Sequence, residues 1–151
     1  MRKLARLLTV AALLAPFAAF AADVPAGVGT KSAKLAANAV LPSTMTEATV
    51  LTDANGHTLY VLASDVEFGK SACNGDCAFN WPPFVAAADA KPMGDWTIFT
   101  RDDGKRQWAY KGRPLYTYAK DQAPGDAKGH NVLEIWTAVT VGPSGTQSAA
   151  K

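Results

Sequence analysis

The chain has 151 residues, and 15 Lys and Arg against 13 Asp and Glu give a formal charge of +2. A length of this order suits one folded domain. With so even a charge balance, nothing resembles the basic footprint that a nucleic acid or an acidic membrane surface requires.

The first residues, MRKLARLLTVAALLAPFAAFAAD, begin with Arg2, Lys3 and Arg6 and continue apolar from Leu7 to Phe20. Ala19 and Ala21 stand at the −3 and −1 positions of an A-x-A cleavage site. Residues 1–21 therefore read as a secretory signal peptide cut after Ala21. The apolar run is short for a membrane span and contains Pro16. Cleavage removes three basic residues and turns the small positive charge slightly negative. No Cys lies near the cut, so lipid attachment there is chemically excluded. The expected product is periplasmic or secreted, soluble, and without a membrane span.

Residues 22–45 are rich in Ala, Lys, Gly, Ser and Pro without a period, and are expected to form a flexible leader. Within them, Lys31 to Leu41 has the composition of a short helix. From residue 46 to 141 the signals are those of a single β-rich domain. EATVLTDANGHTLYVLA places two β-prone runs around Asn55-Gly56, a dipeptide that favours a type I′ hairpin turn. DWTIFTRDDGKRQWAYKGRPLYTYA repeats the pattern with turns at Asp103-Gly104 and Lys111-Gly112, which predicts a three-strand meander with one covered face. EIWTAVTV, Glu134 to Val141, predicts a closing strand. Two long connections separate these runs, from about Val66 to Asp95 and from Gln122 to Leu133. Residues 142–151 are small and polar and are expected to form a flexible tail.

One phrase occurs twice. GHTLYVLASD begins at Gly56 and GRPLYTYAKD at Gly112. Gly56, Leu59, Tyr60, Asp65 and Gly69 match Gly112, Leu115, Tyr116, Asp121 and Gly125, and each Tyr is followed some twenty residues later by a Trp, Trp81 or Trp136. Self-similarity on this scale predicts two copies of one supersecondary unit, about residues 46–94 and 95–141. Each unit is too small to bury a core alone, so the two are expected to pack about a pseudo-twofold axis. The fold class is all-β: a small domain of two related hairpin or meander repeats with long loops.

PLYTYAKD, with Tyr116, Tyr118 and Asp121, together with GKSACNGDCAFNWPPF (Gly69 to Phe84) and FTRDDGKRQWAYKGRPLYTY (Phe99 to Tyr118), resembles the family of secreted repeats and predicted lipoproteins that carry a Yx(FWY)xxD motif. The resemblance spans roughly Val50 to Val139. It implies tandem repeats in exported bacterial proteins and brings no activity with it. The first copy has Leu62 where the second has Tyr118.

The candidate site residues follow. Tyr60, Asp65, Tyr116, Tyr118 and Asp121 form the repeated motif. Each Asp is expected at a strand end, accepting backbone N–H groups, and each Tyr buries its ring and gives its hydroxyl to a partner. The alternative is a pair of Tyr/Asp sites gripping a ligand across the axis. Cys73 and Cys77 are expected to form a disulfide, since an x3 spacing spans a bridgeable distance and an oxidising compartment favours closure. That spacing does not match the C-x-x-C of redox catalysts. Reduced, the pair would supply soft ligands for copper with His57 and His130, but no spacing supports a metal site. Trp81, before two prolines, is expected as a surface aromatic suited to a sugar or a protein partner, and the expected partner of the protein is an envelope protein or a small ligand. No nucleophile elbow, HExxH or phosphate loop is present. RDDG, Arg101 to Gly104, reads as a hydrated turn. The expected protein is an exported non-enzymatic binding or structural protein without a cofactor. The alternatives are a copper or redox carrier using Cys73 and Cys77, and an envelope enzyme.

Overall fold

The computed structural model describes residues 24–37 and 45–142. The signal peptide with its cleavage site, most of the tail and part of the leader lie outside the described residues.

Among the described residues, seven short strands and one short helix follow in order: β1 Gly29–Ala36, β2 Met45–Thr52, β3 Tyr60–Leu62, α1 Asp76–Asn80, β4 Trp96–Thr100, β5 Arg106–Tyr110, β6 Arg113–Pro114 and β7 Trp136–Ala138. They form three small antiparallel sheets, β1-β2, β3-β7 and β4-β5-β6. The three-strand meander from Trp96 to Pro114 forms as predicted, but its middle strand is buried at every residue from Gln107 to Tyr110, so both of its faces are covered and not one. The closing strand is β7, shorter than its sequence signal and extended by a bridge from Thr140 to Val50.

The leader differs from expectation. Residues 29–36 form a strand paired along its length with β2, from Gly29 opposite Thr52 to Ala36 opposite Met45. The segment expected as a short helix is thus extended as far as Ala36. Its Ala and Lys content favours a helix locally, but Ala33 and Leu35 are buried while Ser32 and Lys34 are exposed. That alternation is the period of a strand with one covered face.

The turns also differ in kind. At Asn55-Gly56, Gly56 N–H donates to Asp53 O and Asp53 N–H donates to His57 O. Only Gly56, at φ 85°, is left-handed there. This is a three-residue loop closed by a left-handed glycine, not the two-residue type I′ turn. Arg101 to Lys105 makes the same pair of bonds. The type I′ geometry appears instead at Lys111-Gly112, where φ is 50° and 77° between the paired Tyr110 and Arg113.

The two repeats meet at their equivalent tyrosines. Tyr60 N–H donates to Tyr116 O at 2.8 Å, and Tyr116 N–H donates to Tyr60 O at 3.0 Å. A reciprocal bridge between equivalent residues places a pseudo-twofold axis between them. Other bonds repeat at the same sequence offset: Asp65 N–H to Leu62 O with Asp121 N–H to Tyr118 O, and Lys70 N–H to Glu67 O with Asp126 N–H to Ala123 O. The core has two parts. Tyr60, Leu62, Trp81, Tyr116 and Trp136 pack with Ala33 and Leu35 on one side. Leu59, Val61, Leu115, Trp96 and Trp108 pack on the other. β3 is buried on both faces because both repeats cover it.

Gly129 shows how close this packing is. A Cβ there would lie 2.8 Å from Trp81 Cη2 and 2.8 Å from Tyr60 Cζ. Its φ is outside the left-handed region, so an added methyl acts by crowding alone. Gly129→Ala is expected to cost about 2 kcal/mol, as overpacking in a filled core does. Urea unfolding followed by tryptophan fluorescence checks this, and an unchanged midpoint would refute it.

Candidate functional site

The repeated Tyr and Asp residues pair across the repeats, not within them. Tyr60 Oη donates to Asp121 Oδ2 at 2.5 Å, and Tyr116 Oη donates to Asp65 Oδ2 at 2.7 Å. The second oxygen of each carboxylate accepts a backbone N–H seven residues further on, from Ala72 at 2.7 Å and from Lys128 at 2.9 Å. Each carboxylate thus fixes the loop after its own strand and holds the phenol of the other repeat. All four side chains are buried. Burial pushes the pKa of Asp65 and Asp121 up, partly opposed by their hydrogen bonds. It also raises both phenols, each further by its carboxylate partner. Tyr118 does not join this exchange of bonds. It is half-buried and stacks on Trp81 at 4.1 Å.

Trp81 is not a surface aromatic. It is 6% exposed and lies parallel to Trp136, with centroids 3.8 Å apart and planes 6° apart. Tyr60 meets Trp81 edge-on at 5.4 Å, and Tyr116 meets Trp136 edge-on at 5.2 Å. The two tryptophans are thus an equivalent pair stacked across the axis. Two residues after Trp81, Pro83 bridges to Tyr116.

Cys73 and Cys77 are bonded, with a Cα separation of 5.2 Å. Cys73 is fully buried and Cys77 is half-buried. The bridge closes a short loop into α1. Cys73→Ala with Cys77→Ala is expected to lose about 2 kcal/mol, the loop-entropy value for so few enclosed residues. The shift in urea midpoint of oxidised wild type against the double variant measures it; a shift near zero would sink the idea.

The histidines are separate. His57 Nδ1 lies 3.1 Å from Asp53 Oδ2. His130 Nδ1 accepts Ala138 N–H at 3.1 Å, and burial lowers its pKa. Neither approaches the cysteines as part of a ligand set: among the described residues, no three side chains of His, Cys, Asp or Glu gather as a metal site.

Sequence reasoning missed Arg101. Its side chain is 1% exposed. Nη1 donates to Ser71 Oγ at 2.8 Å and Gln107 Oε1 at 2.6 Å. Nη2 donates to Cys73 O at 2.7 Å and Asn74 Oδ1 at 2.9 Å. Ser71 Oγ lies 2.7 Å from Tyr116 Oη. Because Tyr116 spends its proton on Asp65, the Ser71 hydroxyl is the donor to Tyr116. One guanidinium therefore ties the second repeat's hairpin to the first repeat's cysteine loop and to the Tyr116–Asp65 pair. RDDG carries no sequence mark of this, since its two aspartates do sit in an exposed turn.

Beside the aromatic stack lies a groove of about 500 Å³, whose walls include Cys77, Trp81, Trp136, Tyr118, Leu133 and Ile135. Its far wall is a distorted 3-10 turn, Val132–Glu134. Asn131, Leu133 and Glu134 there all have φ between 52° and 62°. Left-handed backbone at non-glycine residues costs on the order of 1 kcal/mol each and persists only where the surroundings impose it. Leu133 is 78% exposed.

This arrangement defines a duplicated β-unit protein whose two copies lock through exchanged phenol–carboxylate bonds and one tryptophan pair. The chain belongs to the family described as a secreted repeat of unknown function, whose profile matches it twice, at residues 44–85 and 97–140. No curated protein and no solved structure matches it. Among the described residues, no helix is long and apolar enough to cross a membrane.

Proposed function

We propose that this is an exported, non-enzymatic binding protein, acting in the periplasm or outside the cell, in which the Tyr/Asp repeats are scaffold and the loops carry the contact surface. The observation that carries it is the internal closure of both pairs. Each buried phenol and each carboxylate oxygen already has a partner within the chain, so neither pair has a free oxygen aimed at a ligand. A contact surface is supported by the apolar side chains left exposed on loops and the short helix, Phe68 at 77%, Phe79 at 82% and Leu133 at 78%. Exposed aromatics and aliphatics are the usual raw material of recognition, and one of these, Leu133, lines the groove beside the tryptophan stack.

Native mass spectrometry of protein isolated from the periplasm, with and without reductant, tests this. A metal retained only after reduction would replace the binding role with that of a copper carrier. Turnover of a defined substrate, lost in Asp65→Asn or Asp121→Asn without loss of folding, would replace it with an enzyme.

A further inference from the structure

We propose that the groove beside the tryptophan stack captures a cysteine-bearing apolar peptide through thiol–disulfide exchange at Cys77. This rests on the binding role above and names its ligand class and reacting atom.

Three independent features support it. The two half-cystines are unequal: Cys77 is half-buried on the groove wall, while Cys73 is fully buried behind it. Of the two half-cystines, only Cys77 has surface open to an incoming thiolate. Apolar side chains predominate in the groove that Cys77 lines, with Trp81, Trp136, Tyr118, Leu133 and Ile135 in its walls beside the polar Ser64, Asp76 and Asn80. Leu133 is held there in a left-handed conformation, φ 52° and ψ 17°, with most of its surface in solvent. Strain at an exposed apolar residue points to a role other than packing. The third feature is Arg101. Its buried cation sits on Cys73 O at 2.7 Å, its four bonds all go to neutral acceptors, and its Nε has no hydrogen-bond partner. Asp103 is the nearest carboxylate, at 3.5 Å and 42% exposed on its side chain. A guanidinium held at the Cys73 backbone, ion-paired among the described residues only with a half-exposed carboxylate, makes the field around Cys73 more favourable to negative charge.

The step balances without an outside oxidant. The ligand thiol gives its proton to solvent, and its sulfur attacks Cys77 Sγ. The Cys73–Cys77 bond breaks and a ligand–Cys77 bond forms. Cys73 leaves as a thiolate with the electron pair, beside Arg101. The ligand sulfur is oxidised and Cys73 is reduced. Return attack by Cys73 on Cys77 releases the ligand and restores the bridge.

The test uses the oxidised protein with two reduced thiols, glutathione and the blocked tripeptide Phe-Cys-Phe, quenched in acid and mapped by mass spectrometry. The expected adduct is at Cys77 with Cys73 free. The apolar peptide should react about tenfold faster than glutathione at equal thiolate, the ratio that one well-buried apolar side chain supplies. Leu133→Asn, which keeps a residue tolerant of left-handed backbone, should reduce that preference. Adducts at Cys73, equal rates for the two thiols, or no adduct at either cysteine would overturn the proposal. The S-methylated tripeptide separates the two ideas. If it quenches tryptophan fluorescence saturably while no exchange occurs, the binding role stands and the exchange falls; if neither occurs, both fall.

Discussion

Trp136→Ala is expected to lower the unfolding free energy by about 3–5 kcal/mol, the range for removing a large aromatic from a filled core. Trp136 is 2% exposed. It stacks on Trp81 at 3.8 Å and receives the edge of Tyr116 at 5.2 Å, so it is the point where the two repeats share surface. Domains of this size have total stabilities of about 5–15 kcal/mol, and the variant should therefore stand near the edge of folding at 37 °C. Trp96→Ala is expected to cost a similar amount, because Trp96 is 3% exposed in the other half of the core. The two cases separate in a double-mutant cycle. Trp81→Ala and Trp136→Ala should couple by about 1 kcal/mol, as stacked aromatic pairs do beyond their buried area. Trp96→Ala and Trp136→Ala should add. Additivity of the Trp81 and Trp136 losses would mean that the stack does not join the repeats energetically.

What could be read from the residues alone divides along a physical line. The duplication was legible because Gly, Leu, Tyr and Asp recur at fixed offsets, and the meander because Trp96, Trp108 and Tyr110 alternate with smaller or polar neighbours. The disulfide was legible because spacing bounds distance. The exchange of partners was not. Tyr60 has the same chemistry toward Asp65 as toward Asp121, and only the three-dimensional path of the backbone decides between them. β1 was hidden because its Ala and Lys residues favour a helix locally, while its strand form comes from pairing with β2. The rigid prolines after Trp81 suggest an exposed indole, while the burial comes from its stack with Trp136. The better signal was Trp136, at nearly the same distance from its own tyrosine, since equivalent residues in a two-copy fold tend to meet at the axis. Arg101 left no trace because its role depends on Ser71, Cys73 and Asn74, nearly thirty residues away.

Tyr60→Phe is expected to cost about 2 kcal/mol near neutral pH and clearly less at pH 4. The phenol is the side-chain donor to the buried Asp121 carboxylate, and removing a donor from a buried charge costs roughly 1–3 kcal/mol. The pH dependence follows from burial. In the folded wild type, burial raises the pKa of Asp121 above its ordinary value, while the Tyr60 hydroxyl lowers it. Between the unfolded and folded pKa values the folded state binds the proton more tightly, so stability falls as pH rises through that window and is regained as the carboxyl protonates. Without the hydroxyl, the folded pKa rises further, and the variant recovers more stability on acidification than the wild type does. Tyr116→Phe should follow the same sign but respond less to pH. Asp65 also feels the charges of Arg113 and Arg101, whereas Asp121 has Asp126 beside it raising its pKa. At the alkaline end both phenols have raised folded values. Their contribution is complete below about pH 10, the ordinary phenol value, and is lost as pH climbs beyond it. Urea titrations of wild type, Tyr60→Phe and Tyr116→Phe at about pH 4, 7 and 11 measure all three effects. A Tyr60→Phe loss that stays constant from pH 4 to pH 7 would show that the phenol does not stabilise an ionised Asp121, and that the cross-repeat bond contributes shape but little electrostatic energy.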